Sequence, residues 1–185
     1  DVYTVGKRFS PFYFNPLIPP YGTPPKTWLK KLIEIIASAL YVGEGVKYIL
    51  MKAIDVAYRQ AGVYDKKPPE RYPTMRDLFK WLEDYKATGR EAQWMISTLR
   101  AVKSLCFGGI GQVINTPVQY GIEDLLKRNV ILELDALSET DKVFFTDSLL
   151  LWIHHYRMAQ GDRETFKHAL FVEEAHHILA KDPHA

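Results

Sequence analysis

Apolar residues recur at spacings of three and four positions along the first half of the chain, a pattern typical of amphipathic helices. This spacing predicts helices over about residues 26–40 and 46–58, the second ending at Gly62. The same spacing predicts a third helix after Thr74 and a fourth over about residues 90–106. Thr74 stands three residues before an aspartate, which predicts a capping box at the start of the third helix. We therefore predict a bundle of about four helices.

The pattern changes towards the end of the chain. Residues 129–137 form an apolar run typical of a buried strand, and Ser138 and Asp141 have the spacing of a second capping box at the start of a long helix. Another apolar run, over residues 167–172, follows that helix. Strand, helix and strand in this order predict a βαβ unit with parallel strands, in which ligands bind at the carboxyl ends of the strands.

The segments around the helices have their own signals. Residues 1–5 are β-like, and the aromatic residues at positions 9–14 are interrupted by prolines, which favours an extended or edge segment. Pro and Gly density over residues 16–25 predicts a surface loop. We interpret the glycines of residues 108–111 as a flexible hinge, since a dinucleotide-binding turn would follow a strand rather than a helix.

Composition sets wide bounds. The chain has 185 residues, of which 47% are hydrophobic and 25% charged, and this suits a globular domain. A formal charge of +2 does not indicate a dedicated nucleic-acid binder. Cys106 is the only cysteine, which excludes an intramolecular disulfide, and no apolar span has membrane length. These features favour a cytoplasmic protein.

The strongest chemical signal is the adjacent pair Glu173 and Glu174, placed where the last apolar run ends. Two carboxylates at the end of a buried strand would be costly without a partner, which makes them candidate site residues. A carboxylate that helps to hold Mg²⁺, followed by one that aligns an attacking water, is what nucleotide hydrolysis requires. The alternative is a pair of acidic residues at a helix N-terminus, stabilised by the helix dipole.

Other polar residues have weaker interpretations. Glu173 and Glu174 each precede a histidine by three positions, as in the Glu-x-x-His element of di-iron bundles, but the sequence has no second element of that kind. Of His154 and His155, we expect one to be exposed and the other partly packed. Lysines and arginines such as Lys30 and Arg100 are interpreted as solvated helix faces rather than contacts to a DNA backbone.

Three motifs together resemble one protein family. The sequences FNPL at residues 14–17, ILELDAL at residues 131–137 and FVEEAHHIL at residues 171–179 are similar to those of the HerA and conjugation-type DNA-translocase ATPases. The resemblance implies a RecA-like P-loop core carrying a helical insertion. It implies that Glu173 is the Walker B acid that orders Mg²⁺ through water, and that Glu174 polarises the attacking water. It also implies ATP as cofactor, DNA as partner, a hexameric assembly and an association with a nuclease.

The sequence departs from this family in one important respect. The phosphate-binding motif GxxxxGK[ST] is absent from it, although this motif holds the β- and γ-phosphates. We therefore expect a central fragment of a translocase, unable to hydrolyse ATP alone, with residues 1–25 and 119–185 forming a partial RecA-like α/β core and residues 26–118 a helical insertion. The alternative is a non-enzymatic helical module that binds a protein or DNA.

Overall fold

The computed structural model describes residues 1–118, 121–161 and 164–175, and these residues form a mostly helical structure. They contain seven helices and two short strands. In chain order the elements are β1 (Val2–Thr4), α1 (Pro25–Ala39), α2 (Glu44–Ala61), α3 (Met75–Asp84), α4 (Arg90–Ser104), α5 (Gly108–Ile114), α6 (Ile122–Leu125), β2 (Ile131–Glu133) and α7 (Glu139–Ala159).

The predicted bundle of four helices is present as α1 to α4. Helix α1 packs against α2, and α2 also packs against α3 and α4, which pack against each other. The predicted end signals are also present. Gly62 ends α2 in the left-handed conformation at φ 74°, and the Thr74 side chain and its aspartate partner form the capping box that begins α3. The sequence pattern succeeds here because helix faces and caps are local features.

Helix α7 begins as predicted, with the Ser138 hydroxyl accepting a hydrogen bond from the backbone N–H of Asp141. It packs along α1, so that the bundle is extended by a fifth long helix. Trp152 and Phe144 of α7 are completely or almost completely buried, together with Trp28 of α1. The hydrophobic core is therefore shared between the four-helix bundle and the later part of the chain.

The prediction of a partial RecA-like α/β core is wrong. The described residues form one sheet of two strands, β1 and β2, paired in parallel with Val2 opposite Ile131 and Thr4 opposite Glu133. Only the middle of the predicted strand over residues 129–137 is β-structure, because the chain turns at residues 135–137. Three residues in each of two strands are too few for a RecA-like layered sheet.

The second strand predicted for the βαβ unit is also not formed. Residues 167–172 are irregular, and Phe171 is 93% exposed and Leu170 51% exposed. A strand is stabilised by hydrogen bonds to a neighbouring strand, and in the described structure β2 pairs with β1 instead. An apolar run identifies residues that favour β-structure, but it does not supply the neighbour.

The predicted hinge at residues 108–111 is a helix. These residues begin α5, whose Ile110 and Val113 are buried in the core. A Cβ atom at Gly111 would overlap the backbone of Cys106, and Gly109 lies against Gly6 and the carbonyl of Ala136. Gly109 and Gly111 therefore permit close packing between segments.

Candidate functional site

The acidic pair lies on an exposed turn rather than at the end of a buried strand. Glu173 and Glu174 are both exposed, and Ala175, the last described residue, has 3₁₀ geometry. Glu174 has φ 53°, in the left-handed region that few residues other than glycine adopt. Since neither side chain is buried, the costly desolvation that singled out the pair does not occur in this structure.

The position of the pair has a chemical consequence. Both carboxylates face solvent, where a nucleotide, a metal ion or a water molecule can reach them. The two histidines of the motif, His176 and His177, lie outside the described residues. The alternative, in which the pair lies at the N-terminus of a helix, concerns residues after Ala175 and so also lies outside the described residues.

The acidic pair alone is an incomplete metal site. Among residues 1–118, 121–161 and 164–175, no group of three or more His, Cys, Asp or Glu side chains is arranged to hold a metal ion. Mg²⁺ in nucleotide sites is bound by one or two carboxylates, with phosphate and water oxygens supplying the other ligands. Glu173 and Glu174 could supply the carboxylate ligands of such a site only if a nucleotide supplies the phosphate ligands.

The FNPL motif contains a buried asparagine whose side chain is fully engaged in hydrogen bonds. Asn15 is fully buried, and its side-chain amide donates to the carbonyls of Pro73 at 2.9 Å and Thr116 at 2.8 Å. Its Oδ1 accepts from the backbone N–H of Leu17 at 2.9 Å. A single side chain therefore connects the start of α3, the segment after α5 and its own loop.

The backbone around Asn15 is held in turn by three buried side chains. Indole N–H groups of Trp28 and Trp152 donate to the carbonyls of Pro16 and Ile18, at 2.8 and 3.1 Å. The Tyr58 hydroxyl donates to the carbonyl of Leu17 at 2.7 Å. These donors lie on α1, α7 and α2, so residues 14–18, here named the 14–18 segment, join three helices through polar contacts.

Burial makes these contacts strong constraints. A buried carbonyl without a partner costs free energy comparable to a lost hydrogen bond, so each donor is required where it lies. Complete burial raises the pKa of the Tyr58 hydroxyl well above its usual value, which keeps the hydroxyl protonated and able to donate. The 14–18 segment is therefore an interior connection, whereas the sequence predicts an extended or edge segment followed by a surface loop.

Sequence reasoning identified FNPL only through its family resemblance and did not identify its structural role. One signal was available, since Asn15 stands in an apolar stretch and only its Oδ1 finds a local partner, the N–H of Leu17. The donor group of a buried amide has to find hydrogen-bond partners elsewhere, and the buried carbonyls beside it need donors, which the polar tips of tryptophan and tyrosine can supply. Which distant helices supply those tips is a matter of tertiary structure.

The other polar candidates take ordinary positions. His154 is exposed and His155 is half-buried, as predicted, and the His155 ring lies edge-on to Trp28 with ring centroids 5.9 Å apart. Lys30 and Arg100 are exposed on helix surfaces. Partial burial raises the pKa of the Cys106 thiol to about 11, so that its reactive thiolate form is scarce at neutral pH.

Comparisons with known proteins leave the family open. Neither a scan against protein-family models nor a search of curated proteins found a match. In the described part of the chain, no helix is both long enough and apolar enough to cross a membrane.

Proposed function

We propose that this chain is part of a HerA-like, ATP-driven DNA translocase, to which it contributes the acidic pair and a helical subdomain. In this proposal Glu173 orders Mg²⁺ through water and Glu174 polarises the water that attacks the γ-phosphate. The phosphate-binding loop is supplied by residues outside this sequence, which has no GxxxxGK[ST] motif. DNA, further copies of the translocase in a hexamer and a nuclease are the partners that this proposal includes.

One observation carries the proposal: the sequence FVEEAHHIL, in which two adjacent carboxylates follow an apolar run. The exposure of both carboxylates supports it, since an acidic pair that acts on a nucleotide has to be accessible. The 14–18 segment supports it in a second way. The FNPL motif is part of the resemblance, and its Asn15 bonds to three backbone groups in the interior, so few other residue types would fit there.

The test expresses the full-length protein encoded by the gene that contains this sequence. It measures Mg²⁺-dependent ATP hydrolysis by that protein with and without duplex DNA. Glu174→Gln is expected to abolish turnover and to leave nucleotide binding largely intact, because the amide keeps the size of the side chain and loses its charge. Glu173→Gln is expected to weaken the Mg²⁺ dependence. Glu164→Gln is the matched control, because it makes the same change at another exposed glutamate, and it should leave turnover unchanged.

Three results would contradict the proposal. Turnover that survives Glu174→Gln would reject the role of that carboxylate. ATP hydrolysis by the purified 185-residue chain alone would show that its site needs no further residues, contrary to the proposal. An encoded protein with no phosphate-binding motif at all would reject the class of enzyme.

A second function is favoured by the architecture. The described residues are dominated by a helical bundle, and this suits a module that binds a protein or DNA without hydrolysing nucleotide. Under this alternative the encoded protein has no ATPase activity. Changing Glu173 and Glu174 to glutamine then leaves the affinity for its protein or DNA partner unchanged. Affinity measurements on that double variant separate the two functions.

A further inference from the structure

The segment that carries the acidic pair has one half-buried side chain before Ala175. Residues 164–175, here named the 164–175 segment, follow α7 and form no regular α-helix or strand. From position 164 to position 174 every residue is exposed except His168, which is half-buried. His168 is therefore the residue of this stretch that packs against the body of the protein.

His168 is bound to the last turn of α7. Arg157 Nε donates a hydrogen bond to His168 Nδ1 at 3.2 Å. The same guanidinium donates to Gln160 Oε1 at 2.9 Å, lies 5.7 Å from the centroid of the Tyr156 ring and approaches the Leu126 carbonyl at 3.5 Å. These other contacts hold the guanidinium in place, so that it is a positioned donor for the histidine.

The hydrogen bond determines which protonation state His168 has in this position. An arginine N–H can only donate, so Nδ1 accepts and Nε2 carries the ring proton. A protonated imidazole has an N–H group at both nitrogens, which removes the acceptor and places two cations side by side. Burial and the charge of Arg157 lower the pKa of His168. The contact is therefore compatible only with the neutral ring.

Other charged groups around the imidazole do not offset this repulsion. On α7 the charged group that faces the ring is Arg157 itself. On the α6 side, Asp124 forms an ion pair with Lys127 at 2.8 Å, so its charge is already balanced. In the segment itself the neighbouring charged residues, Glu164 and Lys167, are both exposed. Burial and Arg157 account for the lowered pKa.

We propose that Arg157 and His168 form a pH-sensitive anchor, which holds the 164–175 segment against α7 and releases it when His168 is protonated. Glu173 follows His168 by five residues, a stretch of chain that spans at most about 18 Å. The anchor therefore confines the acidic pair, and Arg157 is a positioning residue for it. Only the step from position to turnover rests on the proposed function.

The direction of the pH effect follows from the pKa of His168 in the two states. In the released segment this pKa has its ordinary value of about 6.5, and in the anchored segment it is lower. The anchor is thus at full strength above about pH 6.5, and it is lost as the pH falls through that value towards the lower, anchored pKa.

Nuclear magnetic resonance spectroscopy of the 185-residue chain tests the anchor. A titration of the ring protons should give a pKa for His168 below about 6.5, and Arg157→Met should raise this pKa towards that value. Heteronuclear Overhauser effects should show that the backbone of residues 164–174 is ordered at about pH 7.5 and moves rapidly at about pH 5. The same measurement on α2 should be unchanged, which shows that the fold is intact.

Two substitutions at position 168 separate hydrogen bonding from titration. His168→Asn keeps an acceptor oxygen close to the place of Nδ1 and does not titrate, so the segment should stay ordered at both pH values. His168→Ala removes the acceptor, so the segment should be mobile at both. His154→Asn makes the first of these changes at an exposed histidine of α7 and should behave like the wild type.

The pH profile of Mg²⁺-dependent ATP hydrolysis by the full-length protein tests the effect on the acidic pair. Between about pH 7.5 and 6, turnover should fall less in His168→Asn than in the wild type. A His168 pKa at or above about 6.5, a segment equally ordered at both pH values, or a segment released at low pH in His168→Asn overturns the anchor. Identical pH profiles overturn the positioning role of Arg157. A full-length protein without ATPase activity rejects the proposed function, whereas the resonance measurements still decide the anchor.

Discussion

Replacing Asn15 with alanine removes one side chain that bonds to three backbone groups, two of them in buried and one in a partly buried hydrogen bond. The amide donates to the carbonyls of Pro73 and Thr116, and Oδ1 accepts from the N–H of Leu17, all at 2.8 to 2.9 Å. Each buried group left without a partner costs about 1 to 3 kcal/mol. Three such groups would give about 3 to 9 kcal/mol, and because the Thr116 carbonyl is only partly buried, we expect a total loss in the lower part of this range, about 3 to 6 kcal/mol.

A loss of this size is a large part of the stability of a domain, which is typically about 5 to 15 kcal/mol. Urea unfolding, followed by far-ultraviolet circular dichroism and tryptophan fluorescence, measures it directly. With a denaturant dependence of about 2 kcal/mol/M, Asn15→Ala should lower the midpoint by about 2 M. The two signals should shift together, because the indoles of Trp28 and Trp152 bond to the same segment.

The matched control is Asn129→Ala, which changes the same side chain at an exposed position. Its effect should stay within about 0.5 kcal/mol, as is usual for surface substitutions. If Asn15→Ala costs less than about 1 kcal/mol, the three backbone groups have other partners, and the interior connection through the 14–18 segment is refuted.

Two further predictions concern packing and pH. Gly111→Ala should destabilise the fold by about 2 kcal/mol or more in the same urea assay, because its Cβ would overlap the backbone of Cys106, whereas Gly43→Ala meets no atom within 4 Å and should cost less than about 1 kcal/mol. Equal losses at the two glycines would contradict this packing. Burial lowers the pKa of His155 beside Trp28, so the folded state disfavours the charged ring. Stability should therefore be greatest above the unfolded pKa of about 6.5 and should fall as pH drops through that value towards the lower folded pKa. His155→Gln should reduce the pH dependence of the free energy of unfolding between about pH 7 and 5. An unchanged pH dependence would mean that other groups cause it.

The helices were predictable because their determinants lie within a few residues of each other. The apolar stripe of α2 and its end at Gly62 can be read from consecutive residues, and so can the cap at Thr74. The same was true of the start of α7 at Ser138. Local periodicity and capping therefore predicted α1 to α4 and the start of α7, but not α5, whose glycines indicated a hinge.

The strands were not predictable to the same extent, since pairing depends on residues far apart in the sequence. The apolar pattern indicated β-structure both at β2 and at residues 167–172, but only β2 has a neighbour, and that neighbour is β1 rather than the predicted one. The acidic pair was therefore expected in a buried setting and lies on an exposed turn. The proposed chemistry of the pair depends on residue type and order, which can be read from the sequence. The surroundings of the pair depend on tertiary contacts, which cannot.

The pairing of β1 with β2 has a consequence for the order of folding. It connects positions such as Asp1 and Asn129, which are 128 residues apart and bond at 2.8 Å. Closing a flexible loop of that length costs roughly 4 kcal/mol in chain entropy beyond the constant for closure, more than a strand pair of three residues can offset. Folded helices shorten the effective loop and remove most of this cost. The strand pair is therefore a late event in folding, and its amide protons should exchange with solvent sooner than those of α2.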